Sequence, residues 1–205
     1  MKTVKTKSYK WKMTPEKRSK TNYIVLHHAA AVKASPDDVH KWHLNNGWSG
    51  IGYHIYITKT GEAYHGRPLD TIGSHAYGYN SESIGVCFEG NFETETMPAV
   101  QKLKGIEVMA ELKAMYPKAK VVGHRNLMGT SCPGSNFPFD EIANATIPQK
   151  KVESGNDIVW ELVNGQHKIE ITEQKRAIEA LDKAKNNPKF ESLYWIIYKL
   201  VNKGR

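Results

Sequence analysis

The feature that most limits what this chain can fold into is an apolar run that ends in two adjacent histidines. In Tyr23–His28, apolar and β-branched residues precede two imidazoles, which predicts a buried strand with histidine side chains at its end. Far along the chain, His124 and Cys132 flank a turn-rich loop. Imidazole and thiolate are good zinc donors, and one of the two histidines that end the apolar run could supply a third ligand. Three protein ligands leave one tetrahedral position open for water, which is the arrangement of catalytic rather than structural zinc sites.

Length and composition indicate a folded domain of ordinary size with a small appendage. The chain has 205 residues, of which 40% are hydrophobic and 24% are charged. No apolar run approaches the roughly 20 residues that cross a bilayer, so we expect no membrane insertion. Residues 1–20 alternate lysines with polar residues and lack the apolar core of a secretory signal. We therefore expect the protein to stay in the cytoplasm of the producing cell until it is released.

The net charge favours a polyanionic partner. The formal net charge is +8 and the pI is about 9.3. Nucleic acid and the acidic, phosphate-rich bacterial wall both fit this charge, which does not by itself choose between them. Much of the charge lies in residues 1–20, and this predicts a solvated basic arm.

Strands that alternate with helices predict a mixed α/β domain with a central sheet. The clearest helix start is Ser35-Pro36-Asp37-Asp38, where a capping serine precedes proline and two carboxylates. A hairpin turn is predicted at Thr60-Gly61. The predicted strands are 23–28, 52–58, 62–66, 83–89 and 120–123, and the predicted helices are 36–46, 98–115 and 139–145.

The end of the chain predicts a second, smaller unit. Ile147–Asn156 combines proline, glycine and charges with few apolar residues, so we predict a first domain at 1–147 and a linker at 148–156. Asn164-Gly165 separates two strand-like runs and predicts a hairpin. Two helices are predicted after Thr172, giving a ββαα unit of the α+β class at 157–205. A unit this small is expected to pack on the first domain, on a partner or on a second copy.

Five blocks of the first domain occur together, and in this order, in one known family. They are Tyr23–His28, Gly52-Tyr53-His54-Ile55, Gly73-Ser74-His75-Ala76 with Gly78-Tyr79-Asn80, Ser83–Cys87, and His124–Pro133. The series resembles the zinc-dependent N-acetylmuramoyl-L-alanine amidases of type 2, in particular the phage amidase-type lysozymes and the peptidoglycan recognition proteins. The resemblance covers approximately residues 20–145. It implies a central mixed β-sheet flanked by helices.

The resemblance also implies roles for five residues. His27, His124 and Cys132 match the three zinc ligands of the family, so zinc is the expected cofactor. Tyr53 matches the active-site tyrosine. Because a tyrosine pKa is ordinarily about 10, we expect Tyr53 to orient the attacking water or donate to the developing oxyanion rather than act as a base. Thr130 stands where members carry lysine or threonine, and its hydroxyl can bond the same oxyanion.

A second set of residues is expected to contact the substrate. His75 and Asn80 lie in the segment that lines the substrate groove in similar proteins. Arg67 could pair with a substrate carboxylate. His28 follows His27 directly in a strand, so we expect it to point to the opposite face of the sheet.

Cys87 marks a departure from one branch of the family, in which a catalytic glutamate stands at this strand position. Glu89 lies two residues on, hence on the same face, and is either a substitute base or a solvated carboxylate at the strand end. Cys87 itself is expected to be a small buried side chain. Cys87 and Cys132 should both be reduced thiols, because the expected compartment keeps thiols reduced.

The function implied by the resemblance is hydrolysis of the amide between N-acetylmuramic acid and L-alanine in bacterial peptidoglycan. Zinc would polarise the carbonyl and lower the pKa of the attacking water. A wall hydrolase without a leader fits a bacteriolytic phage endolysin that acts on the cell wall after release. Its expected partner is peptidoglycan and not nucleic acid, and the C-terminal unit is predicted to bind the wall or to form a homodimer.

Two other functions compete with this interpretation. A peptidoglycan-binding protein that does not cut its ligand fits the same blocks, although non-cutting members often lack the ligand that Cys132 provides. A cysteine hydrolase that pairs Cys132 with His124 fits those two residues but leaves His27 unexplained. Zinc content and the release of N-terminal alanine from purified wall separate the amidase from the binding protein, and loss of activity on chelation with rescue by zinc would exclude the cysteine hydrolase.

Overall fold

The computed structural model describes residue 1, residues 3–145 and the strands at 149–152, 158–164 and 167–171. Two compact units make up the chain, Met1–Ala143 and Asn144–Arg205. Among the described residues, no helix is both long enough and apolar enough to span a bilayer.

A five-stranded mixed sheet forms the centre of the first unit. Its strands are β1 (Tyr23–His28), β2 (Ile55–Ile57), β3 (Ala63–His65), β4 (Ser83–Phe88) and β5 (Lys120–Gly123). The strand order is β3-β2-β4-β1-β5, and all neighbours are parallel except β2 and β3, which form the predicted hairpin. Ile24, Val25 and Leu26 of β1 are fully buried, as expected for an apolar run in an inner parallel strand.

Helices cover both faces of this sheet, as predicted. They are α1 (Pro36–Asn45), α2 (Ala99–Met115) and α3 (Phe139–Ala143). In β4, Cys87 belongs to a buried cluster with Val39 of α1, whereas a side chain at Gly105 of α2 would meet the ring of Phe88. Since consecutive strand residues point to opposite faces, α1 and α2 lie on opposite sides of the sheet. The side that carries Cys87 is called the α1 face below.

The start of α1 is confirmed by its cap. Ser35 Oγ accepts a hydrogen bond from the Asp38 N–H at 3.2 Å, and the Asp38 carboxylate accepts one from the Ser35 N–H at 2.9 Å. This reciprocal pair is a capping box, which satisfies donors that the first helical turn leaves unpaired. The helix ends before Gly47, whose φ of 82° lies in the left-handed region.

The N-terminal segment is not the solvated arm that its lysines predicted. Val4 is only 7% exposed, and Lys5 forms a β-bridge with Tyr64. Tyr9 stacks on His40 of α1, with 4.6 Å between the ring centroids. The prediction was wrong because lysine side chains can stay in water while the backbone and the apolar residues between them pack against the domain.

Three antiparallel strands are described in the second unit. They are β6 (Gln149–Val152), β7 (Ile158–Asn164) and β8 (His167–Ile171), in the order β6-β7-β8. β7 and β8 form the predicted hairpin, with Asn164 opposite His167. β6 falls inside the range that was predicted to be a linker. Its sequence has lysines, which are common in edge strands, and lacks the apolar pattern that would have predicted a strand. The helices predicted after Thr172 lie outside the described residues.

Candidate metal centre

The three predicted ligands meet at the carboxyl ends of neighbouring parallel strands. His27 is the penultimate residue of β1, and His124 directly follows β5, which pairs with β1. Parallel neighbours end at the same edge of a sheet, so both imidazoles reach that edge. The loop that follows His124 brings Cys132 back to the same edge of the sheet. In this loop the Arg125 N–H donates to the Cys132 carbonyl at 2.8 Å.

Their spacing suits a single ion. One ligand atom from each of His27, His124 and Cys132 lies within 4.8 Å of the other two. Cys132 Sγ is 3.7 Å from His27 Nδ1, and the two imidazole centroids are 4.5 Å apart. Nitrogen and sulfur bound tetrahedrally to zinc at about 2.0–2.3 Å stand about 3.3–3.8 Å from each other. The donor set therefore fits zinc, and so does the 3.7 Å between Cys132 Sγ and His27 Nδ1.

Burial sets the protonation states of these three predicted ligands. His27 is 1% exposed, and burial, assisted by the nearby His124, lowers the pKa of His27 well below its ordinary value. Burial also lowers the pKa of His124. Both imidazoles are therefore neutral at neutral pH, as metal binding requires. Burial raises the pKa of Cys132 to about 11, so without a cation this thiol keeps its proton.

Tyr53 lies beside the first predicted ligand, with 5.2 Å between the ring centroids of Tyr53 and His27. Burial raises the pKa of Tyr53 well above its ordinary value, and the neighbouring Cys87 acts in the same direction. The phenol is therefore protonated at neutral pH. This state suits the hydrogen-bond donor expected from the sequence and does not suit a general base.

Thr130 is exposed on the loop that leads to Cys132. Its Oγ1 accepts a hydrogen bond from the Cys132 N–H at 3.3 Å. Because that bond uses an oxygen lone pair, the hydroxyl hydrogen stays available for a substrate oxygen.

Arg67 and Asn80, two of the predicted substrate contacts, both bind the protein backbone. Arg67 is 6% exposed, and its guanidinium donates to the carbonyls of Ile51 at 2.9 Å and Ile72 at 2.8 Å. These bonds use two of the five N–H donors of the guanidinium and tie it to the backbone, so pairing of Arg67 with a substrate carboxylate stays a prediction. Asn80 Oδ1 accepts from the backbone N–H groups of His75 and Ala76 at 2.8 and 2.9 Å, which shapes their loop.

His75 touches a predicted ligand. Its Nδ1 is 3.0 Å from His27 Nε2, on the other side of the His27 ring from Cys132. The sequence placed His75 in the substrate groove, and no spacing along the chain connects it to His27. The two rings meet because the loop that carries His75 folds over β4.

An aromatic row next to Tyr53 was also missed. The ring centroid of His43, in α1, is 5.6 Å from that of Tyr53 and 4.6 Å from that of Trp48. Trp48 is 43% exposed, so the row runs from solvent toward His27. The sequence signal was the position of His43 at the end of α1, just before the turn at Gly47.

His28 points away from this centre, as predicted. In the parallel pairing of β1 with β4, His27 is opposite Cys87 on the α1 face and His28 is opposite Phe88. His28 Nδ1 accepts a hydrogen bond from the Phe92 N–H at 3.1 Å. His28 therefore holds a loop on the other side of the sheet.

Glu89 is not the solvated carboxylate considered from the sequence. It is 8% exposed, and its carboxylate accepts from the backbone N–H groups of Ala34 at 3.1 Å and Lys59 at 2.8 Å. Glu89→Gln turns one acceptor into a donor that faces a buried N–H. We expect it to lower the free energy of unfolding by about 1–3 kcal/mol in urea titrations. The exposed Glu16→Gln is the control.

The same variant tests Glu89 as a base. If Glu89 only anchors backbone, Glu89→Gln keeps kcat within about twofold under conditions where it is folded. A loss of about a hundred-fold or more with unchanged stability would identify Glu89 as the base instead.

Acid is expected to destabilise the protein through the buried His54 and the half-buried His43. Burial lowers the pKa of His54 to about 3 and that of His43 to about 4. An unfolded histidine titrates near 6.5, so below that pH the unfolded chain binds protons that the folded chain does not. The free energy of unfolding should fall by up to about 1.4 kcal/mol per histidine for each pH unit between 6.5 and the folded pKa. Urea unfolding at pH 7.5 and 4.5 measures this loss, and equal stability at both values would contradict it.

Comparison with known proteins points to one family. Residues 17–135, more than half of the chain, match the family described as N-acetylmuramoyl-L-alanine amidase. An endolysin of Enterobacteria phage K11 is 35% identical over 126 residues, covering 57% of this chain and 83% of that protein. The solved amidase LysC from Clostridium intestinale URNW is 37% identical with a TM-score of 0.66, covering 68% of this chain and 93% of that one. A mutant of Drosophila PGRP-LB in complex with tracheal cytotoxin is 30% identical with a TM-score of 0.56, covering 66% of this chain and 90% of that one.

Proposed function

Because this chain belongs to the N-acetylmuramoyl-L-alanine amidase family and is an enzyme of that class, we propose that it uses zinc to hydrolyse the amide between N-acetylmuramic acid and L-alanine in peptidoglycan. The observation that carries the proposal is the convergence of His27, His124 and Cys132 within 4.8 Å. When bound, zinc would polarise the scissile carbonyl and lower the pKa of water.

The remaining chemistry falls to groups beside the metal centre. The Tyr53 phenol, protonated and next to His27, would donate to the oxygen that becomes negative as the carbonyl is attacked. The exposed Thr130 hydroxyl would give a second donor to that oxygen. A single such donor typically contributes about a hundred- to a thousand-fold in kcat. The exposed face of Trp48 would support the sugar or stem peptide by stacking.

The biological role follows from the same assignment. The relative from phage K11 is named an endolysin, which supports the proposal that this protein lyses bacterial cells by acting on the wall after release. We assign the amidase to the first unit, Met1–Ala143, and a wall-binding or dimerising role to the second unit, Asn144–Arg205, which includes β6 from the range predicted to be a linker.

A second candidate function is binding of peptidoglycan without cleavage. The likeness to Drosophila PGRP-LB in complex with tracheal cytotoxin favours it. The presence of Cys132 beside both histidines favours the enzyme, because recognition alone needs no metal with an open position. A metal-free cysteine hydrolase is disfavoured by the pKa of Cys132, about 11, since nucleophilic cysteines have lowered values.

Mass spectrometry of digested peptidoglycan tests the proposal directly. Incubation with purified wall is expected to release stem peptides with a free N-terminal alanine and to leave glycan strands that carry intact lactyl groups. Chelation should abolish this release and zinc should restore it. Cleavage at any other bond, or binding without products, would refute the proposed reaction.

A further inference from the structure

The two ring nitrogens of His27 have different partners. Nδ1 faces Cys132 Sγ at 3.7 Å, and Nε2 lies 3.0 Å from Nδ1 of His75. A neutral imidazole carries one hydrogen, and the nitrogen that carries it cannot bind a metal. The position of that hydrogen therefore decides whether His27 is ready to bind an ion on the side of Cys132.

A chain of hydrogen bonds determines this position, beginning at a backbone carbonyl. Ser83 Oγ is 2.7 Å from the Tyr79 carbonyl oxygen, which can only accept, so Ser83 donates its one hydrogen there. Ser83 Oγ is then left to accept from His75 Nε2, 3.4 Å away, in the longest link of the chain. With its hydrogen on Nε2, His75 has a bare Nδ1. His27 Nε2 must therefore be the donor to His75.

We propose that His75 is a positioning residue that keeps the hydrogen of His27 on Nε2 and so leaves the Nδ1 lone pair directed at the metal centre. The inference rests on the proposed function, since it concerns the same centre. It assigns His75 a task different from the substrate contact predicted from the sequence. Partners of this kind fix the tautomer and orientation of metal-binding histidines in general.

Two glycines leave the space that the His75 ring occupies. A Cβ added at Gly85 of β4 would lie 2.6 Å from the His75 ring, so only a residue without a side chain leaves room there. A Cβ added at Gly73 would lie 2.4 Å from the same ring. Asn80 Oδ1 binds the His75 N–H at 2.8 Å and holds the loop above β4. The imidazole is thus pressed against bare backbone on the α1 face, the face that carries His27.

Two substitutions with opposite expectations test the proposal through zinc affinity. His75→Leu removes the acceptor, whereas His75→Asn places an amide oxygen near the former position of Nδ1. In competition with a chromophoric chelator, His75→Leu is expected to bind zinc about 10–100-fold more weakly than the unaltered protein. His75→Asn should stay within about fivefold, and so should the control His65→Leu. Unchanged affinity in folded His75→Leu would overturn the proposal.

A measurement on the unaltered, metal-free protein needs no variant. Nitrogen-15 NMR of the histidine rings reports which nitrogen of His27 carries the hydrogen. We expect the Nε2–H form, and an Nδ1–H form would overturn the proposal. Since this readout involves neither zinc nor peptidoglycan, it stands if the amidase proposal fails. Conversely, an active zinc amidase with the Nδ1–H form would refute only the role of His75.

Discussion

Replacing Cys132 by serine is expected to lower the rate of amide hydrolysis by about a thousand-fold or more. A serine hydroxyl keeps its proton and is a poor zinc donor, so the variant should purify with little metal. Loss of a Lewis acid that contributes about 4 kcal/mol or more corresponds to this change in rate. The assay is release of N-terminal alanine from purified wall, with zinc content measured on the same sample.

The matched control is Ser131→Ala, an exposed neighbour on the same loop, which should keep both activity and zinc. Zinc content matters because a cysteine hydrolase would also lose activity in Cys132→Ser. Near-normal activity of Cys132→Ser at low zinc content would contradict the metal centre. Full activity of the unaltered protein after complete chelation would contradict it equally.

Tyr53→Phe is expected to lower kcat by about a hundred- to a thousand-fold, with little change in KM and none in zinc content. The substitution removes only the hydroxyl that is proposed to stabilise the oxyanion, and the ring can still pack beside His27. A group that acts only in the transition state changes kcat and kcat/KM together. Steady-state kinetics with a soluble muropeptide separate the two constants.

Tyr64→Phe is the matched control for this prediction. Tyr64 lies in β3, and its hydroxyl donates to Glu62 at 2.8 Å, away from the proposed metal ligands. Its kcat should stay within about twofold of the unaltered value. If Tyr53→Phe raised KM and left kcat intact, Tyr53 would be a binding residue and not an oxyanion donor.

Much of the first unit could be predicted because its local signals agree. The apolar run Tyr23–His28 and the cap at Ser35 mark β1 and α1 without help from the rest of the chain. Strand alternation also placed His27 and His28 on opposite faces, which the pairing with β4 confirms. Such features depend on neighbours along the chain, which a sequence displays directly.

The features that were missed depend on contacts between distant segments. The sequence showed the charge of Arg67 but not the bonds from its guanidinium to the backbone carbonyls of Ile51 and Ile72. The sequence left Glu89 as either a substitute base or a solvated carboxylate and did not show the two backbone N–H groups that it binds. The contact between His75 and His27 spans 48 positions, and β6 lacks the apolar pattern by which a strand is recognised. Residue type and spacing do not encode these partners.

Zinc K-edge X-ray absorption of the purified protein tests the central claim most directly. The account predicts one zinc ion with a single sulfur at about 2.3 Å and two imidazole nitrogens at about 2.0–2.1 Å. It also predicts one light-atom ligand from outside the protein. A spectrum without sulfur, or with more than one, would show that His27, His124 and Cys132 do not hold the metal as proposed.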